Sequence, residues 1–386
     1  MMKICTLNKI AACGTERLGA GYELTEDLAG AQGVMVRSAA MHDMDLPESL
    51  VAIARAGAGV NNIPVEDCSD KGIVVFNTPG ANANAVKELV LAGLFLSSRK
   101  IVDGCNWAQT LAGEGEAAAK LVEKGKSAFA GPEIKGKKLG VIGLGAIGVL
   151  VANAATHLGM EVYGYDPYLS VDAAWKLSRS VYHANALEEI YAECDYISVH
   201  VPLTPDTKGM LGADAFATMK EGVRILNFAR AGLVDSDAMK AALASGKVAS
   251  YVVDFPTAEM LGVDNVVAIP HLGASTPESE DNCAVMAADQ LKDYLENGNI
   301  VNSVNFPEVK VPRSTESRVC VLHKNIPNML AQISSVVSAT GANIEAMTNK
   351  SRKDYAYTVL DIEGKVSDNV VAEIMKVEGI IRVRIL

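Results

Sequence analysis

Cysteine is scarce and shows no pairing pattern in this sequence. Seven residues (Cys5, Cys13, Cys68, Cys105, Cys194, Cys283, Cys320) are scattered over 386 positions with no C-x-x-C pair. An odd, dispersed set indicates neither a disulfide framework nor a zinc site, and it suits a reducing compartment. Long hydrophobic runs are also missing: none reaches the roughly 18 residues of a membrane span. The opening Met1-Met-Lys-Ile-Cys-Thr-Leu-Asn8 lacks the apolar core of a secretory signal. A cytoplasmic chain without a membrane partner is therefore expected, and no metal. Positive charge is in deficit, 35 basic residues against 46 acidic ones for a net −11. That balance argues against nucleic acid as a partner, though it leaves room for a local basic pocket.

What is present is ordinary globular material: 49% apolar and 21% charged residues in a length that predicts two or three domains. The stretch Lys138-Leu-Gly-Val-Ile-Gly143-Leu-Gly145-Ala-Ile-Gly148 reads as a strand running into a glycine turn. The Ala-rich Val149 to Leu158 reads as the helix that follows. Glycines here make the tight turn and admit a pyrophosphate to a helix N-terminus, whose N–H groups and dipole favour an anion. The next strand, Glu161 to Tyr165, ends at Asp166, close to the ~20-residue offset of a ribose-binding acid. Asp166 can accept from both ribose hydroxyls and would repel a 2′-phosphate, so NAD is favoured over NADP.

Three polar residues follow the fingerprint in order: Arg230 in Asn227-Phe-Ala-Arg-Ala-Gly-Leu-Val-Asp235, Glu259 in Asp254-Phe-Pro-Thr-Ala-Glu259, and His271 in Pro270-His-Leu-Gly-Ala-Ser-Thr276. Oxidising a hydroxy acid needs a cation for the carboxylate, a base for the hydroxyl proton, a carboxylate to tune that base and a nicotinamide for the hydride. The chain offers one residue for each of the first three roles, and the fingerprint for the cofactor that fills the fourth. Each also has a plainer reading: His271 as a turn residue, Glu259 as an exposed loop acid. His200 is read as structural, and His42, His157 and His183 as surface or packing residues.

About 135 residues precede the fingerprint, enough for a domain of their own. Short strands such as Gly33 to Arg37 and Ile73 to Phe76 alternate with helical stretches, which suggests a parallel α/β unit. A Leu/Ala-rich helix over Ala85 to Lys100 and another over Pro277 to Asn297 imply that the chain returns to this first domain. The second helix carries Cys283, Met286, Ala287 and Leu291 on one face and ends at Gly298. The expected organisation is a nucleotide domain (96–274) inserted in a first domain (1–95 with 275–305), with the active site in the cleft between them. Beyond a Pro-containing linker over 305–316, residues 316–386 read β-α-β-β-α-β.

These motifs resemble those of the D-2-hydroxyacid dehydrogenases, and within them the members that act on 3-phosphoglycerate and carry a C-terminal ACT regulatory domain. The markers are Arg55-Ala-Gly-Ala-Gly-Val-Asn-Asn62, Gly143-Leu-Gly-Ala-Ile-Gly148, Val199-His-Val-Pro-Leu-Thr204, and the Arg230 and His271 stretches quoted above. The resemblance implies a Rossmann-type NAD domain inserted in a flavodoxin-like substrate domain, plus a ferredoxin-like ACT unit. It implies that His271 is the base, Glu259 its partner, and Arg230 the grip on the carboxylate and developing carbonyl. NAD would be held by Gly143, Gly145, Ala146, Ile147, Gly148, Asp166, Val201, Pro202, Phe228, Ala229, Asp254, Gly273 and Ala274, with Asp254 on the nicotinamide carboxamide. The loop Ala56, Gly57, Ala58 and Gly59 would meet the substrate carboxylate. Arg37 and Arg55 are either phosphate ligands or solvated strand-end charges. An L-serine effector would bind through His323, Asn325 and Asn343, in a homodimer or homotetramer.

The chain departs from the family pattern in places. Asn61 stands where Asp is usual, Ala231 where Gly is, and Asn328 where the effector loop usually has Gly. Residues 112–126 carry no legible motif. Two other readings stay open: a dehydrogenase of an unphosphorylated acid such as glycerate or lactate, and an NAD-sensing corepressor-like binding protein. An ACT unit used only for assembly is the alternative to an effector site.

Overall fold

The computed structural model describes residues 1–366 and 368–386. It divides by contacts into two compact units, Met1–Asn82 with Glu280–Leu386, and Ala83–Ser279. No helix of the described residues is long and apolar enough to cross a membrane.

The first unit opens with five short parallel strands, β1 (Met2–Thr6), β2 (Tyr22–Thr25), β3 (Gly33–Val36), β4 (Ala52–Arg55) and β5 (Val74–Phe76), in the order β2-β1-β3-β4-β5. This is the flavodoxin-like order, with a topological switch between β1 and β3. The inner strands are continuous apolar runs because both faces of a parallel sheet are covered. Ile4, Met35, Ala54 and Phe76 enter one core, which also takes Ala287, Leu291 and Tyr294 of the helix Pro277–Asn297. Their neighbours Cys5, Val34, Ile53 and Val75 enter the other. Cys283, Ala287 and Leu291 are buried as the helical periodicity predicts, and Met286 is half-buried.

The second unit is built on seven parallel strands: β6 (Lys138–Ile142), β7 (Glu161–Tyr165), β8 (Val181–His183), β9 (Tyr196–Val199), β10 (Val223–Asn227), β11 (Val248–Val253) and β12 (Val266–Ala268). The order is β12-β11-β10-β9-β6-β7-β8, a doubly wound Rossmann sheet whose switch point lies between β6 and β9. The helix Ala83–Ser98 groups with this unit because Val86, Val90 and Leu94 share a core with Leu226, Phe228 and Val252. Residues 112–126 include the helix Ala118–Gly125, which buries none of its side chains.

The C-terminal four strands are antiparallel: β13 (Ser317–Lys324), β14 (Ile344–Arg352), β15 (Tyr355–Ile362) and β16 (Ile380–Ile385), ordered β14-β15-β13-β16. With the helices Met329–Ala339 and Asp368–Met375 this is the ferredoxin-like βαββαβ arrangement. Asn328, at φ +67, takes the left-handed backbone that glycine would otherwise supply before the first helix. Side chains alternate across β13. Val319 and Val321 face the two helices, while Cys320 and Leu322, with Tyr357 and Val359 of β15, enter the core that holds Ile4, Phe76 and Tyr294. The stretch read as a linker is not slack either, for Phe306 and Val309 are fully buried. The C-terminal sheet thus shares a core with the first sheet.

Candidate active site

The nucleotide turn forms because two of its three glycines leave room that no side chain could. Gly143 sits at φ +91, and a Cβ there would come 2.8 Å from the His200 carbonyl oxygen. A Cβ on Gly148 would lie 1.9 Å from the Gly143 carbonyl, whereas Gly145 faces open space. The helix Ala146–His157 begins at Gly145 with no side-chain cap, so its first N–H groups are left for an anion. The Asp166 carboxylate accepts from Leu144 N and Tyr168 N, both at 2.8 Å. Two carboxylate oxygens offer about four acceptor sites, so this bracing leaves capacity for ribose hydroxyls. The cradle and its acid fit a dinucleotide.

Val201 lies against Gly143, and the Pro202 carbonyl accepts from the Thr207 hydroxyl at 2.7 Å. Phe228 is buried against Gly93 in the core, which leaves its backbone as the part available to a cofactor. Asn227, fully buried at the end of β10, was not singled out from sequence. Its Oδ1 accepts from Ala229 N (3.1 Å) and Arg230 N (3.3 Å), and its Nδ2 donates to the Arg230 carbonyl at 2.9 Å. An Asn at a strand end that closes its own turn is the legible signal for this brace.

Arg230 and His271 meet on a third side chain that also escaped the sequence reading. The Phe255 ring lies 5.3 Å from the Arg230 guanidinium carbon and 4.2 Å from the His271 ring, at an interplanar angle of 46°. His271 is exposed and has φ +54, an uncommon backbone for a residue with a Cβ. The strain is held from behind: Asp254, 1% exposed, accepts from Leu272 N at 2.7 Å and Gly273 N at 2.9 Å. A Cβ at Gly273 would crowd Asp254 Oδ2 at 2.9 Å, so the loop admits glycine there. Burial raises Asp254 above the usual carboxylate range, opposed by those two N–H donors and by the charge of His271. Glu259 is not joined to His271. It lies exposed on the turn Ala258–Met260, which is pinned by buried Met260, and accepts from the Thr257 hydroxyl at 3.3 Å.

In the first unit the loop Ala56–Gly59 follows β4. Ala56 N donates to the Val36 carbonyl at 2.8 Å, and the carbonyl of Gly57, at φ +151, accepts from Thr78 N at 3.0 Å. Arg55 Nε donates to the Arg37 carbonyl at 3.1 Å, and the Arg37 guanidinium pairs with Glu280 at 2.6 Å.

On the C-terminal sheet His323 is buried, with Nδ1 against the Lys324 carbonyl at 2.8 Å and Nε2 against Thr358 Oγ1 at 2.9 Å. Burial lowers its pKa, against the Lys324 and Asn349 contacts. Asn325 Nδ2 donates to the Lys353 carbonyl at 3.0 Å. Asn343 is placed elsewhere. The register Lys324↔Tyr355 and Ser317↔Ile362 puts His323 and Asn325 at one end of the sheet, while Asn343, bonded to Glu363 at 3.2 Å, lies at the other.

Residues 98–273 match the family described as D-isomer specific 2-hydroxyacid dehydrogenase, NAD binding domain. D-3-phosphoglycerate dehydrogenase of Haemophilus influenzae is 31% identical over 95% of this chain and 89% of its own length. The Escherichia coli protein of that name is 32% identical over 94% of this chain and 89% of its own length. Among solved structures, NAD+-bound 3-phosphoglycerate dehydrogenase of Entamoeba histolytica superposes with a TM-score of 0.60 at 28% identity, covering 79% of this chain and 98% of that one.

Proposed function

The chain belongs to the D-isomer-specific 2-hydroxyacid dehydrogenases, and on that premise we propose that it oxidises 3-phospho-D-glycerate to 3-phosphohydroxypyruvate with NAD. This would be the opening step of the phosphorylated route to L-serine. One observation carries the reading: relatives named for this activity match at 31–32% identity over 94–95% of the chain, C-terminal unit included.

Gly143, Gly145 and Gly148 would cradle the pyrophosphate, Asp166 the ribose, and Val201 and Pro202 the cleft wall. When bound, NAD supplies the acceptor for the C2 hydride. The His271 imidazole takes the hydroxyl proton, held in place by Phe255 in front and Asp254 behind. Arg230 can meet carboxylate and carbonyl oxygens in the two-pronged way that lysine cannot. The backbone of Ala56–Gly59 adds N–H donors for the carboxylate, and Arg37 and Arg55 are the cations we assign to the phosphate. Pairing Glu259 with His271 requires the Ala258–Met260 turn to shift, because no hydrogen bond joins them here.

We assign the domains as 1–95 with 275–305 for substrate, 96–274 for NAD and 316–386 for regulation, in a cytoplasmic homodimer or homotetramer, with the helix Ala83–Ser98 grouping by contacts with the NAD unit. An L-serine site made of His323, Asn325 and Asn343 takes two copies of the chain, since one copy places them at opposite ends of its sheet. NADH absorbance with 3-phosphoglycerate and with D-glycerate tests the substrate. The phosphorylated acid should react faster by orders of magnitude, and equal rates would reject it.

A further inference from the structure

We propose that Asn77 is a positioning residue for the substrate loop Ala56–Gly59, and that Arg352 is the point at which the C-terminal unit holds Asn77. The inference rests on the reading of that loop as a carboxylate binder. A loop that binds an anion through its backbone must turn its N–H groups outward and its carbonyls away. Because the peptide unit is planar and trans, fixing one carbonyl fixes the next residue's N–H in the opposite direction. Asn77 Nδ2 donates to the Ala58 carbonyl at 2.6 Å, and Thr78 N donates to the Gly57 carbonyl at 3.0 Å. Those two bonds set the N–H groups of Gly59 and Ala58. Neither N–H donates to any acceptor among the described residues. They are the free donors a carboxylate needs, and Asn77 is the side chain that aims one of them.

Asn77 is itself held from the far side of β5. Its N–H donates to the Asn302 carbonyl at 3.3 Å, Phe76 bridges Ser303, and Val304 N donates to the Val75 carbonyl at 2.9 Å. Asn302 has φ +58, so this turn sits in a conformation its neighbours must enforce. Asn305 does part of that by accepting from Val75 N at 2.9 Å and donating to the Ile73 carbonyl at 2.9 Å. The remaining anchor comes from the C-terminal sheet, where Arg352 Nη1 donates to the Ser303 carbonyl at 2.7 Å. Arg352 ends β14 at the hairpin whose Lys353 carbonyl is held by Asn325. A hydrogen-bonded line therefore runs from that hairpin through residues 302–303 and Asn77 to the Gly59 N–H.

The test uses the full-length enzyme. Asn77→Asp replaces a donor with a carboxylate that repels the Ala58 carbonyl. It should raise KM for the hydroxy acid about tenfold with kcat within about twofold and NADH affinity unchanged. Arg352→Met should raise KM about threefold, and Arg352→Lys should restore it, since one N–H donor to a carbonyl suffices. The double variant N77D/R352M should be no worse than N77D alone, because both act through one contact. If N77D fails to fold, the Met and Lys variants of Arg352 carry the test alone. An unchanged KM in R352M, or additive effects in the double variant, would overturn the relay. Gly57→Ala separates the two levels, because φ +151 is a backbone that an L side chain rarely adopts, and its KM is read with D-glycerate, whose lack of a phosphate takes the displaced Arg55 out of the comparison. If it raises KM while N77D and R352M do not, the loop binds substrate and the relay is wrong. If all three leave KM alone, the loop reading falls with it.

Discussion

The His271 imidazole and the Phe255 ring lie 4.2 Å apart, and the same ring carries the Arg230 guanidinium on its face at 5.3 Å. One apolar side chain therefore sets the orientation of both the proposed base and the proposed carboxylate grip. Aromatic contacts of this kind contribute about 0.5–1.5 kcal/mol beyond their buried area. Phe255→Ala should lower kcat/KM about tenfold, equivalent to about 1.4 kcal/mol of transition-state stabilisation. NADH affinity by fluorescence titration should hold. A loss under twofold would show that the two residues do not depend on this wall.

His271→Ala should cut turnover by orders of magnitude while NADH still binds, because proton transfer and cofactor docking use different groups. Glu259→Gln is the sharper case, since Glu259 bonds to Thr257 rather than to His271. If the Ala258–Met260 turn shifts during turnover, the neutral side chain no longer favours imidazolium and the acidic limb of the pH–rate profile moves down. An unmoved limb would mean that Glu259 stays with Thr257 and does not tune the base.

The glycine fingerprint and the strand order it implies were legible because backbone constraints are local: a left-handed Gly143 and an uncapped helix announce themselves within ten residues. Phe255 was not, because a ring that touches Arg230 and His271 looks in sequence like any strand-end apolar residue. The run Arg318-Val-Cys-Val-Leu322 holds a further signal. Apolar residues on both parities of a strand mean two covered faces, and the second cover is the first domain's core. Contacts such as Asp70 with Lys324, at 2.7 Å across 254 positions, have no local signature at all.

His200 gives a pH test. Its Nε2 meets Ser198 Oγ at 2.9 Å, its Nδ1 is buried without a partner, and burial lowers the imidazole to about 4. A base depressed in the fold contributes stability above its unfolded pKa near 6.5 and loses it as pH falls toward the folded value. Between pH 6.5 and 4 the wild type should lose on the order of 2 kcal/mol more than His200→Gln. Parallel denaturation curves for the two proteins across that window would count against it.

Asp166→Ala should weaken NADH binding and narrow the gap to NADPH, because one carboxylate supplies both the hydroxyl acceptors and the repulsion of a 2′-phosphate. It should also cost about 1 kcal/mol in stability, as Leu144 N and Tyr168 N lose a charged acceptor. Equal use of NADH and NADPH by the wild type would remove Asp166 from this role.

Truncation after residue 315 asks whether the C-terminal unit is an accessory or part of the body. An accessory would leave a stable dehydrogenase that has merely lost its effector response. The shared core argues otherwise, since removal takes Cys320, Leu322, Tyr357 and Val359 from around Tyr294 and Phe306. It also removes Arg318, which donates to the Asn297 carbonyl at 2.8 Å while paired with Asp361 at 2.6 Å, fully buried. Arg384, which donates to the carbonyls of Tyr294 and Leu295 at 3.2 and 2.9 Å, goes with it. Losing several buried apolar side chains at roughly 1.5–3 kcal/mol each is comparable with the whole stability of a domain. The truncated chain should therefore aggregate or melt far below the full-length protein. Within the intact chain, Asp361→Asn should be strongly destabilising by denaturant titration, because the Arg318 charge stays buried without its partner. A truncated chain with full-length melting temperature and turnover would show that the two sheets fold independently.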